Sequence, residues 1–118
     1  MKICRSGILV SALPSLLMLG LFYSLAIHMR YGLGAWPTSI GERGFSPSLV
    51  THGRVTWHFC EVLFLASIFI WPAAMLVCLL VTRLRRFVVY LALYALLYLV
   101  CWGLMLLAPA PFLNWWWD

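Results

Sequence analysis

VLFLASIFIWPAAMLVCLLVT, residues Val62 to Thr82, contains no Asp, Glu, Lys or Arg. At ~1.5 Å of rise per residue, a helix of this length crosses the ~30 Å hydrocarbon core of a bilayer. A strand does not fit, because a membrane barrel needs segments of about ten residues alternating in polarity, whereas Leu76-Val77-Cys78-Leu79-Leu80-Val81 is apolar on every side. A helix satisfies its own backbone groups in lipid. Pro72 inside the segment predicts a kink, tolerated where neighbouring helices repack around it.

Outward from this segment, Ser6 to Met29 and Phe87 to Trp117 are equally free of Asp, Glu, Lys and Arg. The chain therefore reads as an all-α integral membrane protein, with three transmembrane helices in a small bundle that forms a single domain. The spans are about 7–29, 55–82 and 87–108, with an outer loop 30–54, a cytoplasmic link 83–86 and an outer tail 109–118. With 65% apolar and 9% charged residues, the composition lies far from the roughly 25% charged residues of soluble domains. The lipid bilayer is the first partner it implies.

The net charge of +5 would suggest nucleic acid in a soluble protein, but its placement excludes that partner. Lys2 and Arg5 precede the first span, and Arg83, Arg85 and Arg86 fill the link between the second and third. These five lie on one side of the membrane, against Arg30, Arg43 and Arg54 on the other, where Glu42 and Glu61 dilute them. Basic residues favour the cytoplasmic side, so Lys2, Arg5, Arg83, Arg85 and Arg86 act as topology determinants. The expectation is a multi-pass protein of the cell membrane with the N-terminus in the cytoplasm and the C-terminus outside. Lys2, Arg5 and Ser24-Leu25-Ala26 also suit a cleaved signal peptide, yet the apolar run Gly7 to Ile27 exceeds the roughly 7 to 15 residues of such a region and fits an uncleaved anchor better.

Counting from the cytoplasmic charges gives a depth scale. Arg5 to His28, Arg83 back to Glu61 and Arg86 to Pro109 are separated by 23, 22 and 23 residues, each roughly 33 to 35 Å of helix. On this ruler His28, Glu61 and the end of the third helix share the outer boundary. Cys60 and Cys101 then differ in depth by about 12 Å, too much for a disulfide. Cys4, Cys60, Cys78 and Cys101 form no CxxC pattern and read as reduced residues.

Pro109 and Pro111 are expected to stop the third helix, and Gly32, Gly34 and Pro37 the first. Ser46-Pro47 is a favourable helix start, a hydroxyl N-cap followed by proline at the first helical position. A break at Gly53 is the alternative. In the loop, Gly32 and Gly34 do not make a dinucleotide fingerprint, since Pro37 occupies the third glycine position and no strand precedes them. Trp36, Phe45 and Ile40 suggest a loop packed back onto the membrane surface, and Glu42-Arg43 between two glycines an exposed turn.

Arg54, His58 and Glu61 form the polar cluster of greatest interest. They fall within about 60° of one helix face, at spacings where side chains meet. A carboxylate at the edge of lipid requires a partner. His28, at similar depth on this ruler, could face His58. That pair suggests a redox subunit binding haem or quinone through His28 and His58, or a metal held by His58, Glu61 and either His28 or His52. Glu61 alone suggests a small transporter or membrane enzyme. An enzyme would set a nucleophile or a second acid beside His58 and Glu61, and the only nearby candidate, Glu42, is in a loop, so the leading expectation is no catalytic residues, no metal and no cofactor.

The tail Phe112-Leu113-Asn114-Trp115-Trp116-Trp117-Asp118 suits the headgroup layer, where an indole has both an apolar ring and a polar N–H. Trp36, Trp115, Trp116 and Trp117 are accordingly expected as interfacial anchors. The tail could also cap the helices or dock on a partner, bringing Asp118 near His28, Arg30 and Arg54. Taken together, these features predict a small non-enzymatic accessory or scaffold subunit that contacts a membrane protein partner, or a second copy of itself, through its outer loop and tail.

Overall fold

The computed structural model describes residues 2–37 and 41–118, and Ile40 lies outside them. Helix α1 runs Arg5–Leu33, α2 Pro47–Leu80, α3 Val88–Met105 and α4 Ala110–Trp117, with a 3-10 turn Thr82–Phe87 between α2 and α3. Among the described residues there is no strand. Three helices are long and apolar enough to cross a membrane.

The start of α2 follows its sequence signal: the Ser46 hydroxyl accepts from the Leu49 amide at 3.3 Å, and Pro47 occupies the first turn. The helix then continues through Gly53, so residues 47–54, assigned to the outer loop, are its first two turns. Gly34 closes α1 with φ +69, a left-handed conformation that costs glycine no Cβ clash. Gly44, at φ +83, likewise permits the turn that brings the Phe45 amide to the Glu42 carbonyl at 3.1 Å. Pro14 and Pro72 both lie inside helices.

The third helix ends earlier than expected, and the prolines have another role. α3 stops at Met105, and a short turn leads to Pro109, the N-cap of α4, with Pro111 in its first turn. Proline lacks an amide proton but has helical φ, so it starts a helix as readily as it ends one. Most of the tail 109–118 is therefore a helix.

Cross-helix bonds set the register. The Tyr23 hydroxyl donates to the Leu104 carbonyl, and the Cys4 amide donates to the Tyr90 hydroxyl at 2.8 Å, so α1 and α3 run parallel. α2 runs against both: Trp71 Nε1 donates to the Leu91 carbonyl at 2.9 Å, Ser67 and Tyr94 hydroxyls meet at 2.6 Å, and His28 meets His52. Continuing these pairings places Glu61 about level with Leu19 and Cys101, ~13 Å nearer the basic end than His52. The charge-count ruler thus misplaces the helices. It assumed a common starting level, whereas α2 extends to Leu80 and the 3-10 turn doubles back beside it, with Arg85 Nε donating to the Leu79 carbonyl at 3.2 Å. Cys60 and Cys101, expected at different depths, belong to one buried cluster, and both thiols are free.

Burial is unequal along the 55 Å long axis. At the end carrying α4, the aromatic end, Phe22, Met29, Leu49, Met105 and Phe112 are almost fully buried. Toward the end carrying Arg5 and Arg83 to Arg86, the basic end, large apolar side chains face outward, with Phe69 69% and Ile70 67% exposed. Such a belt is what a helix bundle presents to an apolar solvent.

Candidate functional site

The aromatic end is assembled around Phe22. Phe112 and Trp116, four residues apart on one face of α4, put their ring centres 5.0 and 5.2 Å from it. Trp116 also meets Trp57 of α2 at 5.2 Å. Trp115 points to the loop, where its indole N–H donates to the Gly41 carbonyl at 2.9 Å and its ring lies 5.6 Å from Phe45. Trp117 stacks on Trp102 at 5.8 Å, and Trp36 is half-buried 6.1 Å from Phe112.

Trp116 is consequently not an interfacial anchor, being 6% exposed inside the core. The i,i+4 spacing of Phe112 and Trp116 gives α4 an apolar face that folds back on α1. Trp117, at 56% exposure, is the tail indole left most open to the surroundings.

Loop, α2 and α4 together enclose an open cleft of about 370 Å³. Glu42, Arg54, His58 and Asp118 supply its charged and titratable groups, and Phe45, Trp57 and Trp115 its flat walls. The Arg54 guanidinium approaches the Glu42 carboxylate at 3.7 Å, tying α2 to the loop turn. His58 Nδ1 lies 3.6 Å from the Glu61 carboxylate. Both pairs are largely exposed, so each contributes little to stability. Arg54 thus has a partner the helix-face argument missed, because Glu42 arrives from the loop.

His28 is not part of this cluster. Its Nδ1 lies 2.8 Å from His52 Nδ1, and His52 Nε2 lies 3.0 Å from the Ser24 hydroxyl, which donates to the Leu21 carbonyl at 2.8 Å. Since the single Ser24 proton goes to Leu21, Ser24 must accept from His52 Nε2–H, leaving His52 Nδ1 to accept from His28 Nδ1–H. The chain runs one way, from His28 through His52 and Ser24 to the backbone of α1.

His58 lies six residues beyond His52, ~9 Å along α2 and about 120° away from the His52 side. The structure therefore does not bring His28 and His58 together as an axial pair for haem or a joint quinone site. Among the described residues no three His, Cys, Asp or Glu side chains are grouped to hold a metal ion. The sequence did carry a signal for His52: it falls on the same side of α2 as buried Leu49, Thr56 and Cys60, the side turned to the bundle.

At the opposite end, Lys2, Arg5, Arg83, Arg85 and Arg86 are all exposed. Arg86 lies 4.9 Å from the ring centre of Phe87. No protein-family model matches the chain, and comparisons with curated proteins and with solved structures likewise give no match.

Proposed function

We propose that this chain is a small, non-enzymatic, multi-pass protein of the cell membrane that serves as an accessory or scaffold subunit, binding a membrane protein partner through the cleft at its aromatic end. The N-terminus and the arginine link lie in the cytoplasm and the cleft outside, following the excess of basic residues at one end. The observation that carries the reading is the cleft itself. It combines exposed Arg54 and Trp57, residue types that concentrate binding energy at protein interfaces, with carboxylates of both loop and tail, over a core that holds all three elements in place.

The test is co-purification in mild detergent. The wild-type chain is expected to retain a stoichiometric membrane partner, or a second copy of itself, and Arg54→Glu or Trp57→Ala to weaken that retention by about tenfold or more. Both side chains are exposed, so the fold should survive either change. A partner retained equally by both variants, or a wild-type chain that purifies alone, would contradict the proposal.

A further inference from the structure

A second groove, of about 430 Å³, runs along the side of the bundle at its basic half. Its α2 wall extends from Leu63 to Cys78, ~22 Å of helix and more than the ~15 Å thickness of one leaflet's hydrocarbon. Alanines 66 and 74 leave room in that wall, while Trp71, Phe87 and Tyr94 provide bulky rims. The polar atoms beside it are already engaged: Trp71 N–H by the Leu91 carbonyl, the Tyr94 hydroxyl by Ser67 and the Tyr90 hydroxyl by the Cys4 amide. What remains facing the groove is apolar, suited to a hydrocarbon chain.

The groove ends at the arginine link. Phe87 lines it beside Arg86, and Arg85 is fastened to Leu79, the residue after the lining Cys78. The five cations at this end have no carboxylate among them, because the chain's three acidic residues are Glu42, Glu61 and Asp118. Glu42 and Asp118 line the cleft at the other end, and Glu61 pairs with His58. A groove for hydrocarbon ending in uncompensated guanidinium groups matches one ligand class, in which an acyl chain and an anionic phosphate are covalently joined.

We propose that this groove is a binding site for one anionic phospholipid, with an acyl chain lying along Ala66, Trp71 and Ala74 and the phosphate held by Arg85 and Arg86. The proposal rests on the membrane-spanning reading above. It goes beyond general contact with lipid because the chain seat and the phosphate seat are parts of one site.

The test is native mass spectrometry of the full chain in mild detergent, titrated with phosphatidylglycerol or phosphatidylcholine of identical acyl chains. One equivalent of phosphatidylglycerol should bind at least about tenfold more tightly than phosphatidylcholine. Arg85→Gln with Arg86→Gln should weaken it by about fivefold per arginine, and Ala74→Phe should weaken both lipids by obstructing the chain seat. Equal affinity of the wild-type protein for the two lipids would overturn the proposal, whatever the variants do. So would a phosphatidylglycerol preference unchanged by the arginine substitutions, or phosphatidylglycerol affinity unchanged by Ala74→Phe, since the charge would then act without the groove. Extraction of the chain from membranes by alkaline carbonate without detergent would instead defeat the membrane-spanning reading. A chain that resists carbonate but shows no lipid preference defeats this inference alone.

Discussion

His28 Nδ1 and His52 Nδ1 lie 2.8 Å apart across the α1–α2 interface, joined by a hydrogen bond that His28 donates. The contact needs His52 neutral, because protonating its Nδ1 would turn the acceptor into a second donor facing His28. That requirement gives the acid response of stability a definite sign. Below about pH 6.5, the ordinary histidine value, the unfolded chain binds a proton at residue 52 that the folded chain can take up only by breaking this contact. Stability should therefore fall as the pH drops through about 6.5. Thermal unfolding in detergent across this range checks it, with His52→Asn expected to be less stable at neutral pH and to show a shallower acid loss. An identical slope in both proteins would contradict the proton chain.

Removal of the α4 rings tests the cap. Phe112 is 0% and Trp116 6% exposed, so Phe112→Ala or Trp116→Ala should each destabilise the protein by about 3–5 kcal/mol. Trp117→Ala, at a site 56% exposed, should cost less than about 1 kcal/mol. Midpoints of thermal unfolding for the three variants give the comparison.

Gly7 tests the α1–α3 contact at the basic end. A Cβ there would lie well inside contact distance of the Tyr90 ring, with Cζ at 2.6 Å. Gly7→Ala should displace that ring, break its bond to the Cys4 amide and cost about 1–3 kcal/mol. Faster hydrogen exchange at Cys4 is the specific readout. Unchanged exchange and stability would mean that the ring yields freely.

Much of the helical framework is legible in the sequence because it depends on local properties. The charge-free runs mark three long apolar helices, Ser46-Pro47 starts α2, and Gly34 closes α1. The site is less legible because its partners meet through register. Pairing of His28 with His52 depends on how far α2 slides past α1, which counting charges could not fix once the 3-10 turn absorbed part of the chain. Burial of Trp116 depends on a reversal at Pro109 that places α4 against Phe22. A WWW run considered alone suggests three equivalent indoles, although the four-residue step from Phe112 to Trp116 distinguishes the buried one.

Cys4 offers a test of orientation. It is the one exposed cysteine of four, while Cys60, Cys78 and Cys101 are buried. Backbone amides of Gly7 and Ser6, followed by the Ser6 side chain, hold its thiol below the ordinary value of 9.0. Detergent-solubilised protein should show one fast-reacting thiol, lost in Cys4→Ser. In intact cells a membrane-impermeant maleimide should leave Cys4 unlabelled until the membrane is permeabilised. Labelling before permeabilisation would reverse the proposed orientation.

The most direct test of the binding role is photo-crosslinking in intact membranes, with benzoylphenylalanine in place of exposed His58 in the cleft or of Leu99 on the apolar belt, where the side chain is 68% exposed. The account predicts one discrete protein adduct from position 58, abolished when Arg54→Glu is added, and none of that kind from position 99. No adduct from position 58, or the same adduct from both positions, would contradict a role exercised through the cleft.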